Sequence, residues 1–135
     1  MKLLGIDYGE HRTGVSVTDD DGRIALARET IAEKNRARLL DRLTEMCRED
    51  GIGKIIFGLP LTFANAEPPL AARVRQFARK LETRTGVPVD FEDERLTSVM
   101  SERLLRDRGE KKKATDADAA VLILQSYLDR QTGKS

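Results

Sequence analysis

Apolar residues in this 135-residue chain change their spacing several times, and each change predicts a new element. Residues 2–7 (KLLGID), 13–18 (TGVSVT) and 23–30 (RIALARET) are short runs parted by turn formers at Tyr8, Gly9 and Glu10 and across residues 19–22. They predict three strands, and loops this short join them as an antiparallel meander. Between residues 35 and 50 the apolar positions Leu39, Leu40, Leu43, Met46 and Cys47 recur at helical spacing, and Gly51 and Gly53 punctuate the end. Residues 54–59 (KIIFGL) are apolar without alternation, as in a strand covered on both faces of a sheet. A polar loop through Pro68 leads to a second helical stripe, Leu70, Val74, Phe77, Ala78 and Leu81, with Arg73, Arg75, Arg79, Lys80 and Arg84 mostly off it. Residues 87–91 (VPVDF) predict a further strand. A third helix is expected from Thr97 or Ser98 to residue 108, then the charged loop 109–113. Thr115 opens a last helix with Ala117, Ala120, Val121, Leu124 and Leu128 on one side.

The order βββ, α, β, α, β, α, α predicts an α/β layer architecture, a mixed sheet covered by helices. A length of 135 residues fits one domain, residues 1–135, with a core of useful size. No apolar run reaches the roughly 18 residues of a membrane span, and the first nine residues run straight into a strand without a signal-peptide layout, so a cytoplasmic protein with no membrane partner is expected. Lys plus Arg number 24 against 23 Asp plus Glu, a net charge of +1, which excludes a histone-like polycation. Cys47 is the only thiol and His11 the only imidazole, so a Cys/His zinc site or an internal disulfide cannot be built from this chain. Aromatic residues are 4% of the chain, too few for a broad base-stacking platform. The remaining chemistry is in carboxylates.

Asp7 ends a hydrophobic strand and precedes Tyr8 and Gly9; strand ends are where sites collect in α/β sheets, although an Asp before a turn Gly also serves as a turn opener. Asp90, Glu92, Asp93 and Glu94 form the densest negative run in the chain. Two like charges about 4 Å apart repel by about 4 kcal/mol at an effective dielectric near 20, so such a run is solvated, paired with a base such as Arg95, or holds a cation. Asp116 and Asp118 open the last helix, where Thr115 and Asp118 can form a capping box. Helical phase aligns Asp116 with Ala120, Ile123 and Tyr127, facing the sheet, and turns Asp118 toward solvent. Acidic residues from a first strand, a later strand end and a last helix can bind one or two hard divalent cations without any histidine. Two such ions can activate an attacking water and stabilise the departing oxygen of a phosphodiester.

The blocks LGIDYGEHRTGVSVTD (4–19), IIFGLPL (55–61), VRQFARKL (74–81), VPVDFEDERLTS (87–98) and KKKATDADAAVLILQSYL (111–128) span nearly the whole chain. In this order they resemble the YqgF/RuvX family, related in architecture to Holliday-junction resolvases. The resemblance implies a ribonuclease H-like fold: a five-stranded mixed sheet, three strands in a meander and two more, flanked by helices. It also implies an acidic triad at Asp7, Glu94 and Asp116, both catalytic and metal-binding, with Mg²⁺ or Mn²⁺ as cofactor. The family is associated with a nuclease activity in maturation of the 5′ end of 16S ribosomal RNA, and earlier with resolution of four-way DNA. The expected partners are therefore precursor rRNA, structured DNA in the alternative, and the pre-ribosomal small subunit. The chain departs from the family pattern after Gly58, Leu59 and Pro60, where a glycine-containing segment is common and Thr62, Phe63, Ala64, Asn65, Ala66 and Glu67 stand instead. Asp118 replaces a commonly non-acidic residue, so the ligand role is carried onto Asp116 alone.

Substrate binding falls to cations. Arg12 and Arg95 are candidates for the phosphate backbone, and each is equally placed to serve as a salt-bridge partner. Residues 73–84 and 103–113 are basic; Lys111, Lys112 and Lys113 are favoured for backbone binding because their loop adjoins the Asp116 helix. Two other classes are compatible with parts of the pattern: a sugar-kinase-like nucleotide binder, which needs two lobes where this length supplies one, and a non-catalytic RNA-binding module for ribosome assembly.

Overall fold

The structure is a computed structural model that describes residues 1–61, 67–94 and 115–132. Its strands are β1 (Lys2–Asp7), β2 (Arg12–Thr18), β3 (Ala25–Ala32), β4 (Ile52–Leu59) and β5 (Val89–Asp93), and its described helices are α1 (Arg36–Glu49), α2 (Pro69–Thr85) and α3 (Asp116–Gln131). One five-stranded sheet runs in the order β3-β2-β1-β4-β5. The meander is antiparallel, whereas β1 and β5 each lie parallel to β4. The expected mixed sheet is therefore present. The helix expected between residues 97 and 108 lies outside the described residues.

Several strand boundaries differ from the pattern in the sequence. β3 starts at Ala25 rather than at residue 23, because the Asp19 carboxylate accepts the backbone N–H groups of Arg23 (2.8 Å) and Ile24 (3.3 Å) and draws both into the turn. Those bonds, the one from Arg23 first, hold the Asp19 carboxyl below the ordinary carboxylate value. β4 begins two residues early, at Ile52. β5 moves from 87–91 to Val89–Asp93. Val87 N–H is tied to Thr85 Oγ1 (3.1 Å) and Val89 N–H to Glu82 (2.9 Å), which holds the start of the run against the end of α2. Pairing then begins at Val89↔Ile55 and carries the strand into the acidic run.

Alternation divides the side chains between two layers. Leu4 and Ile6 of β1 and Ile55, Phe57 and Leu59 of β4 face α1 and α2, where Leu39, Leu43, Met46, Val74, Phe77 and Leu81 complete the larger core. Each such side chain contributes roughly 1.5–3 kcal/mol on full burial. Leu3 and Ile56 face the other way, into a smaller cluster with Ile123, Leu124, Tyr127 and Leu128 of α3. β4 is thus covered on both sides, as its unbroken apolar run predicts.

The helix ends follow their capping residues. The Asn35 side chain accepts Arg38 N–H at the start of α1, Pro69 opens α2, and Gly86 closes it at φ 73°, in the left-handed region that favours glycine. α3 starts with the expected capping box: Thr115 Oγ1 accepts Asp118 N–H (3.1 Å) and Asp118 accepts Thr115 N–H (2.9 Å).

Candidate active site

Asp7, the last residue of β1, shares its side of the sheet with Leu3 and Gly5, the side that α3 covers. Its antiparallel partner is Gly14. A Cβ on Gly14 would lie 1.8 Å from the Asp116 carbonyl oxygen and 2.8 Å from Ala117 N, so this glycine lets the first turn of α3 rest directly on β2. Ala117 N–H donates to Thr30 Oγ1 of β3 (3.2 Å), and one turn later Ser16 Oγ donates to the Ala120 carbonyl (2.7 Å). These contacts seat Asp116 beside the end of β1.

Glu94 reaches the same place from the opposite side. The β1–β4 ladder ends at Ile6↔Phe57, which makes Asp7 and Gly58 the next positions on neighbouring strands, and Gly58 pairs in turn with Glu92 of β5. A Cβ on Gly58 would meet Glu94 Oε1 at 2.8 Å and Ile123 Cδ1 at 2.5 Å. A glycine on each side of Asp7 thus leaves room for one carboxylate-bearing residue. Both glycines stand inside strand patterns, the sequence signal for a close approach, but the pattern alone does not say what approaches.

The three candidate carboxylates are thus drawn to one end of the sheet on one face. Their side chains are not gathered as a ligand set: among the described residues no group of three or more His, Cys, Asp or Glu is arranged to hold a metal ion. Asp116 instead pairs with Arg12 Nε at 3.2 Å, with the Arg12 side chain 68% exposed and Asp116 33%. The donor chemistry of three carboxylates, oxygen atoms only, is of the kind that suits a hard divalent cation. Asp118 is exposed and engaged as a cap.

Of the other predicted binding residues, Arg12 is at the site, while Arg95, Lys111, Lys112 and Lys113 lie outside the described residues. The basic stretch on α2 is largely paired: Arg73 with Glu10 (2.9 Å), Arg75 with Glu67 (2.5 Å), and Arg84 with Asp41. The acidic run also divides. Glu92 is buried and accepts bonds from Ser126 Oγ (2.6 Å) and Arg130, so it ties β5 to α3. Its partners stand 34 and 38 residues along the chain, beyond the reach of local pattern.

A sheet of this order, with helices on both sides and acidic residues at the ends of β1 and β5 and the start of α3, defines a ribonuclease H-like α/β protein. The fold matches that of Thermus thermophilus RuvC in complex with Holliday junction substrate, with a TM-score of 0.67 and 17% identity over 100% of this chain and 98% of that one. The chain belongs to the RuvX family: the family model, described as Holliday junction resolvase, matches residues 1–130. Relatives named "Putative pre-16S rRNA nuclease" include proteins from Anaeromyxobacter sp. (strain K), 40% identical over 97% of this chain and 98% of theirs, and from Syntrophomonas wolfei, 39% identical over 96% and 94%. Among the described residues, no helix is long and apolar enough to cross a membrane.

Proposed function

We propose that this chain, acting as one domain, is a divalent-metal-dependent nuclease that hydrolyses a phosphodiester near the 5′ end of precursor 16S rRNA in the cytoplasm. The observation that carries the reading is the pair of glycines flanking Asp7: Gly14 under the backbone of Asp116 and Gly58 under the side chain of Glu94. Asp7, Glu94 and Asp116 would hold Mg²⁺ or Mn²⁺. When bound, such an ion supplies positive charge against the phosphate and lowers the cost of making a nucleophile from water. The carboxylates would fix the position of that charge from the end of β1, the residue after β5 and the capped first turn of α3. Arg12 pairs with Asp116 and is two-thirds exposed, so it can exchange this partner for a substrate phosphate. In the net reaction a water oxygen bonds to phosphorus, the bond from phosphorus to the departing sugar oxygen breaks, and that oxygen takes a proton.

The names of the relatives favour RNA, whereas the family description and the RuvC likeness favour a DNA junction. Symmetric cutting of a junction calls for a two-fold dimer; trimming one RNA end needs a single site. Labelled precursor rRNA and a four-way DNA junction, each incubated with wild type and Asp7→Asn under Mg²⁺ and Mn²⁺, test the reading. Wild type should cut the RNA, and Asp7→Asn should lose about 10²–10³-fold in rate. Junction cleavage in preference to RNA would reverse the substrate assignment, and full activity of the variant would remove Asp7 from the site.

A further inference from the structure

Asp7 and Tyr8 are consecutive, and alternation turns their side chains to opposite sides of the sheet end. Tyr8 packs against Phe77 of α2, with ring centroids 4.9 Å apart, and lines a groove of about 480 Å³ between α1 and α2. Tyr8, Leu40 and Phe77 supply apolar walls, and Arg36, Arg73 and Lys80 supply charge. Helical spacing explains the grouping: Arg36 and Leu40 are four apart on α1, while Arg73, Phe77 and Lys80 are four and three apart on α2.

The charge is only partly neutralised. Arg36 donates to the carbonyls of Gly9, Glu10, Glu33 and Lys34, which fix its guanidinium 5.1 Å from the Tyr8 ring centre without cancelling its charge. Arg73 pairs with Glu10 at 2.9 Å. Lys80 is exposed and forms no ion pair among the described residues. Three cations against one carboxylate leave the groove positive, with apolar walls between the charges. That combination suits a ligand with a flat apolar ring and an anionic backbone, and the volume is in the range of a small-ligand pocket.

We propose that this groove binds an unpaired nucleotide of the RNA substrate, on a strand that passes over the end of β1 from Asp7. The assignment rests on the nuclease reading for its choice of ligand. An unpaired base offers an open ring face to the half-buried Tyr8 and Leu40, whereas a base inside a duplex has both faces covered by its neighbours. Arg73 and Lys80, about 10 Å apart along α2 by helical rise, contact the phosphates on either side.

The test is fluorescence anisotropy with a labelled unstructured 12-nucleotide RNA in EDTA, so that binding is read without cleavage. Lys80→Glu should weaken binding about five- to tenfold and lower the slope of log affinity against log salt by about 1. Arg73→Gln should act in the same direction, and Arg48→Glu, the same charge change at an exposed site outside the groove, should have less effect. The same RNA annealed to its complement should bind more weakly and respond less to Lys80→Glu. Unchanged affinity in Lys80→Glu, an equal loss in Arg48→Glu, or a duplex equally sensitive to Lys80→Glu overturns the proposal. A DNA strand bound at least as tightly and lost in the same variants overturns the choice of RNA. A change in sedimentation of Lys80→Glu without a change in RNA binding reassigns the groove to a second copy of this chain. Binding in EDTA is read independently of cleavage. A failure of cleavage therefore counts against the nuclease reading, and a failure of these binding contrasts against the groove.

Discussion

The two sides of the sheet are built on opposite rules. Toward α1 and α2 the strands present Leu4, Ile6, Val15, Ile55 and Phe57, large side chains that hold the helices off and fill the space between. Toward α3 several of the same strands present Gly5, Gly14, Ser16 and Gly58, and the helix comes down almost onto their backbones. The first side gains stability from buried area. The second gives up much of that area for close approach, and the candidate carboxylates are on it. Bulk fixes where the layers are, and the absence of bulk fixes where functional groups meet.

This contrast can be broken by substitution. Leu43→Ala, in the bulky layer, should cost about 2–5 kcal/mol in urea unfolding and leave the cleavage rate per folded molecule unchanged; a comparable loss of activity would mean that the layers are not independent. Asp7→Asn should do the reverse, removing cleavage while its melting temperature stays the same or rises as repulsion among the carboxylates is relieved. Gly14→Ala should lower both together, because the new Cβ collides with backbone that cannot move without lifting α3. Its stability loss should reach the upper end of the about 1–3 kcal/mol typical of overpacking.

Gly58→Ala sharpens the comparison, since the atoms in its way belong to the Ile123 and Glu94 side chains and not to backbone, and side chains can rotate aside. Activity should fall more than stability, and a melting temperature depressed as far as that of Gly14→Ala would contradict this. The smallest effect is expected at Cys47, in the bulky layer. Burial, helped by the Asp50 charge, pushes its thiol from 9.0 up to about 11. A group kept neutral in the fold contributes fully below the unfolded value and progressively less as pH rises from 9.0 toward about 11. Wild type should therefore lose more stability than Cys47→Ala across that window in urea titrations.

The bulky layer was legible in the sequence because its signal is local. The stripes on α1 and α2 and the apolar run of β4 each declare their buried side through spacing alone, and the capping box at Thr115 and Asp118 is a four-residue pattern. The candidate acids are legible through residue type and family resemblance. What joins them was not legible: Gly14 under Asp116, Gly58 under Glu94, and Glu92 clamped by Ser126 and Arg130 are contacts between residues far apart in the chain. The shifted start of β5 had a mixed origin, since long-range pairing with β4 and short-range ties to the end of α2 together decided where the strand begins.

The sequence by itself determined the elements, the layer class and the inventory of carboxylates and cations, because periodicity and residue chemistry act over a few neighbouring positions. Only the tertiary structure decided which carboxylates share one end of the sheet, which arginines are already paired, and that a positive groove lies one residue from Asp7 on the other face. Those outcomes depend on register and on how closely helices approach strands, quantities set by the packing of the whole chain.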